Sequence, residues 1–251
     1  MRSQQTDVAE NTGATGEMGL QGKRAIITGS SSGIGRATAS AFLAAGAQVV
    51  GFDIRSIEES DCETLAVDVS DKAAVDEAVK AAVMRLGGID IVVNSAGIEI
   101  QSTLAGLDWA AFDRMYAVNV RGTAQVVQAA LPYLSDGARI VNLASELAYL
   151  GREGSSAYCA TKGAVLSMTR AWARELAPRI LVNAVAPGPI DTPLLAFDAM
   201  KPAEQALELN NPLRRIGRPE EVAEAILFVA GSGSNFMTGQ CIAVDGGAAM
   251  R

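Results

Sequence analysis

The sequence predicts an α/β fold, a doubly wound parallel sheet of about seven strands with helices on both faces. Three observations predict it. Short apolar runs of strand length alternate with longer runs of helical period from Arg24 to Val244. A glycine-rich loop joins the first strand to the first helix. Apolar residues make up 49% of the 251 and aromatics only 5%, so Ala, Val, Leu and Ile must fill one continuous core. Strands and helices in strict alternation join by right-handed crossovers, which makes the sheet parallel.

The elements follow in order. Residues 1–20 are polar and without period, and are read as a disordered tail; 21–251 read as a single domain. A strand over 24–28 leads into Thr28-Gly-Ser-Ser-Ser-Gly-Ile-Gly35 and a helix over 36–45 that stops at Gly46. A second strand over 47–52 ends at Asp53, and a third over 65–67 ends at Asp68. Residues 72–86 read as a helix with Val75, Val79 and Val83 on one stripe. A fourth strand over 89–93 precedes Asn94-Ser-Ala-Gly97, and a helical region spans 109–134. A fifth strand over 139–144 ends before Ser145, and the next helix carries Tyr158 and Lys162 to about 177. A sixth strand over 180–186 ends at Pro187-Gly188. Residues 193–212 look helical but are interrupted by Pro193, Pro202 and Pro212. A helix over 219–230 opens on proline, and a last strand covers 241–244.

Composition excludes several classes. The net charge of −7 argues against nucleic acid as a partner, because such binding rests on phosphate neutralisation by Lys and Arg. No run of about 18 apolar residues is present, so no membrane span is expected. The N-terminus lacks the hydrophobic core of a signal peptide, and a cytoplasmic location is expected. Cys62, Cys159 and Cys241 are far apart and show no metal or disulfide spacing; Cys159 reads as a small packing residue. The chain has no histidine, which excludes Ser-His-Asp catalysis and His-ligated zinc.

The remaining candidates cluster. Tyr158 and Lys162 are four residues apart, one above the other on a helix face. A close ammonium lowers a phenol's pKa by about 1–3 units and makes it a usable proton carrier. Such a pair alone is common by chance, so its weight comes from the residues around it. Ser145 ends a strand where its hydroxyl can return to the start of that helix. The loop Gly29 to Gly35, with Ser32, Gly33 and Ile34, lies between strand and helix, where backbone N–H groups and a helix N-terminus accept a pyrophosphate. Its Gly-x-x-x-Gly-x-Gly spacing differs from the Gly-x-Gly-x-x-Gly fingerprint, but its context is that of a Rossmann-like dinucleotide site. Asp53, eighteen residues past Gly35, is placed to accept hydrogen bonds from the adenosine ribose and to repel a 2′-phosphate, favouring NAD over NADP. Two like charges about 4 Å apart cost ~1 kcal/mol in water and ~4 at an effective dielectric of 20. Arg55, two residues on, partly offsets that preference. Asp68 and Val69 border the adenine position, and Asn94, Ala96 and Gly97 follow the fourth strand on the same carboxyl edge.

Taken in order, Thr28-Gly-x-x-x-Gly-x-Gly35, Asn94-x-Ala-Gly97, Asn119, Ser145, Tyr158-x-x-x-Lys162 and Pro187-Gly188-x-Ile190-x-Thr192 resemble the short-chain dehydrogenase/reductase family over about residues 21–247. The resemblance implies an NAD-dependent oxidoreductase acting on the CH–OH group of a small alcohol or ketone. It implies that Tyr158 moves the proton, Lys162 lowers its pKa and binds the nicotinamide ribose, and Ser145 polarises the substrate oxygen. Asn119 would hold a water linking Lys162 to solvent. Pro187, Gly188, Ile190 and Thr192 join the cofactor-binding set, 193–212 becomes a substrate lid, and a homotetramer is implied.

Ser95 departs from the family's usual Asn and Ala144 from the serine or other small residue often found there, and the turn Ala177-Pro178-Arg179 looks shortened. Phe197, Met200 and Leu207 are candidates to line the lid, or equally are ordinary helix packing. Glu99, Glu146, Arg152 and Glu153 lie in segments near the pocket and suit a polyol or sugar derivative, or else are solvated rim charges. The alternatives are an NADPH-dependent 3-oxoacyl reductase, which Asp53 disfavours, and a non-catalytic dinucleotide-binding protein.

Overall fold

The computed structural model describes residues 19–55 and 62–250. The expected N-terminal tail lies outside the described residues except at its last two positions. There the expectation is corrected: Leu20 is buried, and its N–H donates to the Ala45 carbonyl at 2.8 Å, so the fold starts before Gln21.

The sheet has seven parallel strands in the order β3-β2-β1-β4-β5-β6-β7. They are β1 (Arg24–Thr28), β2 (Gln48–Asp53), β3 (Glu63–Ala66), β4 (Ile89–Asn94), β5 (Leu134–Leu143), β6 (Ile180–Pro187) and β7 (Cys241–Val244). Order reverses between β1 and β4, which opens a crevice at the carboxyl edge. Alternate residues of β1 show why both faces are covered. Ile26 joins a core with Val75, Val79 and Val126, from α2 (Lys72–Leu86) and α4 (Thr123–Ala130). Ala25 and Ile27 join another with Phe42 and Ile226, from α1 (Gly33–Ala44) and α8 (Pro219–Ala230). Period-2 strands with two apolar faces produce this double layer.

Several boundaries differ from expectation. Helix α1 begins at Gly33, not 36, because Gly33 and Gly35 form its first turn. The region expected as one helix over 109–134 contains α3 (Trp109–Met115), a π-helical stretch Tyr116–Gly122, α4 and a short turn Leu131–Tyr133. Leu134 belongs to β5, which starts before 139 because Gly137 at φ 80° lets the chain rejoin after an irregularity opposite Ile89. A short helix α5 (Leu147–Leu150) was not foreseen, while the interrupted helical region over 193–212 consists of a 3-10 turn Phe197–Ala199 and α7 (Pro202–Glu208). Three residues join α6 (Ser156–Leu176) to β6, with a cis Ala177–Pro178 bond.

Candidate active site

The carboxyl edge opens into a cleft of about 540 Å³, within the ~300–1,000 Å³ range of small-molecule sites. One end is the loop after β1. Gly29 and Gly33 take φ of 69° and 50°, which side chains rarely adopt. At Gly35 a Cβ would lie 2.1 Å from the Gly29 carbonyl oxygen, so only glycine lets α1 start against the loop. Gly29, Ser32, Gly33, Ile34 and Gly35 all line the cleft, and the N-terminus of α1 faces it. This cradle fits the pyrophosphate of a dinucleotide.

Thr28 fastens the neighbouring loop. Its Oγ1 accepts hydrogen bonds from the N–H groups of Ser95 and Ala96 at 3.1 and 2.9 Å. The Ser95 departure is therefore harmless here, since the contact uses its backbone. Ala96 and Gly97 line the cleft. Asn94 does not: it is buried beneath, its Nδ2 donating to Asn142 Oδ1 at 2.9 Å. The side chain thus braces β4 against β5 beneath the cleft wall.

Asp53, half-buried at the end of β2, faces the cleft. Its oxygens accept from the N–H groups of Ser31 at 3.1 Å and Arg55 at 3.2 Å, and the Ser31 hydroxyl donates to the Arg55 carbonyl at 2.8 Å. The carboxylate is thus held still, with lone pairs to spare for ribose hydroxyls. Asp68 and Val69 form the facing wall. Burial opposes ionisation of Asp68, but hydrogen bonds from Ser70 and Arg114 outweigh it and hold its pKa below the usual carboxylate value. Pro187, Gly188, Ile190 and Thr192 close the far side.

The inner end holds Ser145, Tyr158 and Lys162, all buried and all on the cleft. Tyr158 and Lys162 share the inward face of α6, and the Tyr158 ring packs with Met115, Leu147 and Ala157. Lys162 Nζ donates to the Leu143 carbonyl at 2.7 Å and lies 5.7 Å from the Tyr158 ring centroid. Burial lowers its pKa to about 8, against a raising effect of Glu99. The expectation that Lys162 pulls the phenol down is not met by the protein alone. Burial, then Glu99, raise the Tyr158 pKa well above its ordinary value, with Ser145 and Arg152 pulling the other way. A buried anion costs more than this lysine returns at that distance.

Asn119 sits in the π-helical stretch, away from the cleft surface. Its Oδ1 accepts from the Ile98 N–H at 2.9 Å, and its Nδ2 donates to the Ile98 carbonyl at 2.9 Å and to Thr161 Oγ1 at 3.0 Å. A Cβ on Gly97 would lie 3.4 Å from Asn119 Oδ1 and 3.5 Å from Lys162 Nζ, so both side chains back the same loop. Asn119 is a positioning residue by geometry.

Near the lid the structure separates the candidates. Met200 lines the cleft, but Phe197 and Leu207 do not, and Glu153 is exposed off its wall. Glu208, at the end of α7, was missed: it is buried and accepts a two-pronged ion pair from Arg152 at 2.5 and 2.9 Å. The partners are 56 residues apart, so no local spacing could reveal them. Glu99 Oε1 accepts from the Ser155 hydroxyl at 2.7 Å. Glu146 is buried, and its Oε2 has no hydrogen-bond partner.

Burial, then Asp245, push the Glu146 pKa from 4.5 to about 7, with Arg152 opposing and Glu208 adding. The folded state therefore holds this proton where the unfolded state has lost it. Stability falls as pH rises from about 4.5 to about 7 and is flat above. At ~1.4 kcal/mol per pKa unit, the ceiling is about 3 kcal/mol. Glu146→Gln removes the titration. Its Tm relative to the unmodified protein is expected to be higher at pH 8 than at pH 5 by about 5–10 °C. An equal offset at both pH values in thermal melts contradicts the burial argument.

Comparison with known proteins agrees with this geometry. A family model described as enoyl-(acyl carrier protein) reductase matches residues 29–249. The chain is 39% identical over 244 residues to the 3-oxoacyl-[acyl-carrier-protein] reductase of Thermotoga maritima, covering 92% of this chain and 99% of that one. Its structure resembles the ligand-free aldohexose dehydrogenase of Thermoplasma acidophilum, with a TM-score of 0.87, 33% identity, and 92% and 96% of the two chains covered. It also resembles the 3-ketoacyl-(acyl-carrier-protein) reductase of Brucella melitensis complexed with NADH, with a TM-score of 0.84, 35% identity, and coverage of 92% and 100%.

Proposed function

The chain belongs to the short-chain dehydrogenase/reductase family, and we propose that within it the chain is an NAD(H)-dependent oxidoreductase interconverting a small secondary alcohol and its ketone. The observation that carries the cofactor half is Asp53, held by Ser31 and Arg55 N–H groups on the cleft wall where an adenosine ribose would lie. The chemistry half rests on Ser145, Tyr158 and Lys162 sharing one buried end of that cleft.

When bound, the cofactor supplies the hydride acceptor or donor. The chain supplies the rest. The Gly29–Gly35 loop and the α1 N-terminus hold the pyrophosphate, and Asp53 holds the ribose. Ser145 donates a hydrogen bond at the substrate oxygen. Tyr158 takes the proton from the carbinol oxygen in oxidation and returns it to the carbonyl oxygen in reduction. Lys162, anchored on Leu143, keeps positive charge near the phenol and reaches the nicotinamide ribose. Asn119 fixes the Ile98 segment behind them and, through its neighbourhood with Lys162, a proton route outward. We assign the working form to a homotetramer, as the family resemblance implies, in the cytoplasm, as the sequence composition suggests, with no nucleic-acid partner for so acidic a chain. Among the described residues no helix is long and apolar enough to cross a membrane.

The second reading is an NADPH-dependent 3-oxoacyl reductase. It is favoured by the Thermotoga relative's name and by exposed Arg55 on the cleft wall, where a 2′-phosphate could meet it. Asp53 weighs against it by charge. The deciding variant is Asp53→Ala. The ratio of NADPH to NADH dissociation constants, measured by calorimetry, is expected to fall by about tenfold or more, which is ~1.4 kcal/mol of removed repulsion. An unchanged ratio means that Asp53 does not face the ribose.

A further inference from the structure

Residues 191–216 leave the body of the protein and return to it at one place. A parallel bridge pairs Ile190 with Gly217 there. The Gly217 N–H donates to the Pro189 carbonyl at 2.8 Å, and the Gly217 carbonyl accepts from the Asp191 N–H at 2.9 Å. The excursion forms one wall of the cleft through Thr192, Leu194, Leu195, Met200 and Glu208. Yet none of its apolar side chains joins the cores on either face of the sheet. Its only buried residues are both polar, Glu208 and Asn211. Helix α7 within it has seven residues, and a helix that short does not persist in water without a tertiary contact. Asn211 ties the returning end, its Nδ2 donating to the Glu208 carbonyl at 3.1 Å and the Arg215 carbonyl at 2.9 Å.

Among the described residues, the hydrogen bonds of 193–210 stay within 192–211, with one exception. Glu208 accepts both prongs of the Arg152 guanidinium, at 2.5 and 2.9 Å. Arg152 itself is fixed to the body. Its carbonyl accepts from the Ser155 N–H at 3.1 Å, the Ser155 hydroxyl donates to Glu99 at 2.7 Å, and the Gly154 carbonyl accepts from the Ser102 N–H at 2.8 Å. Helix α6, which carries Tyr158, begins at the next residue. The segment over the cleft is thus fastened to the catalytic helix's own loop by an ion pair where apolar packing would be usual. Such a pair can open. Burial works against the Arg152 charge, but the Glu208 bond and then the charges of Glu99 and Glu146 outweigh it and hold its pKa above the ordinary value. When Glu208 lifts away into water, those two carboxylates remain, so no buried cation is left uncompensated.

We infer that Arg152 and Glu208 are positioning residues that latch residues 193–210 over the cleft, and that release of this one ion pair lets the segment lift to admit and discharge ligands. The latch stands on the ion pair alone. Its role as a gate rests on the dinucleotide reading above.

The test is hydrogen-exchange mass spectrometry on the full chain without ligand, together with stopped-flow release of NADH. Glu208→Gln is nearly isosteric and removes the charge. It is expected to speed exchange at 193–210 by about tenfold or more, while α6 and α8 keep their protection. Arg152→Gln is expected to do the same. The double variant is expected to be no faster than the quicker single variant within about threefold, since one contact cannot be lost twice. NADH release is expected to quicken by about threefold or more in Glu208→Gln. Unchanged exchange at 193–210 overturns the latch. So does faster exchange spread evenly over α6 and α8, the mark of a merely structural pair, and so do single effects that multiply in the double variant. Where Arg152→Gln does not fold, Arg152→Lys keeps the charge without the fork and takes its place, with a smaller effect expected. Faster exchange with unchanged NADH release keeps the latch and overturns its role as a gate. An unmodified protein that binds no NADH overturns the dinucleotide reading, while the exchange results still decide the latch.

Discussion

Replacing Tyr158 by phenylalanine is expected to lower turnover by about 10²–10⁴-fold while leaving NADH affinity within about threefold. The substitution keeps the ring against Met115, Leu147 and Ala157 and removes only the hydroxyl oxygen. That oxygen is the one group at the inner end of the cleft proposed to carry a proton both ways. Ser145 remains to hold the substrate oxygen, so binding persists while proton transfer fails. The raised phenol pKa sharpens this expectation. In the protein alone the group is held neutral, ready to donate in reduction. In oxidation it needs added positive charge nearby, which a bound oxidised nicotinamide ring would bring. The oxidative rate should therefore rise with pH more steeply than the reductive rate. Stopped-flow measurement of hydride transfer in both directions checks it. A phenylalanine variant with a tenth or more of the normal rate would remove Tyr158 from the chemistry.

Gly35→Ala is expected to weaken NADH binding by on the order of 100-fold. Alanine is the better helix former by ~1 kcal/mol, so propensity alone favours the change. Sterics win. The new methyl would sit 2.1 Å from the Gly29 carbonyl oxygen and 3.2 Å from that of Thr28, both backbone atoms that no rotamer change can move. Relief requires α1 to shift away from the loop, and overpacking of this kind costs about 1–3 kcal/mol. The shift carries the helix N-terminus away from the pyrophosphate, where small displacements lose hydrogen bonds outright. Calorimetry with NADH, with circular dichroism to confirm folding, measures it. A folded variant binding NADH normally would show that this loop does not cradle the cofactor.

Much of this was legible in one dimension, and particular residues show why. Strand ends at Thr28, Asp53, Asn94, Leu143 and Pro187 follow from apolar runs with sharp boundaries, so the carboxyl edge and its occupants were readable. Helix α6 announced its inward face because Tyr158 and Lys162 repeat at helical spacing among small residues. The misses are tertiary. The π-helical stretch Tyr116–Gly122 has no local signature; Asn119 is held there by Ile98 and Thr161, far apart in sequence. The pairing of the Asn94 side chain with Asn142, 48 residues on, has no local signal either. Glu208 could not be matched to Arg152 without the fold. Nor could spacing show that burial would outweigh Lys162 in setting the Tyr158 pKa, since that balance depends on depth and distance.

The measurement that bears most directly on the whole account is a side-by-side calorimetric titration of the unmodified protein with NADH and NADPH. NADH is expected to bind at least about tenfold more tightly, with the carboxylate of Asp53 setting the difference. Tighter binding of NADPH would contradict the assigned cofactor and favour the biosynthetic reductase reading, with Arg55 dominating the site. Binding of neither would contradict the catalytic assignment itself.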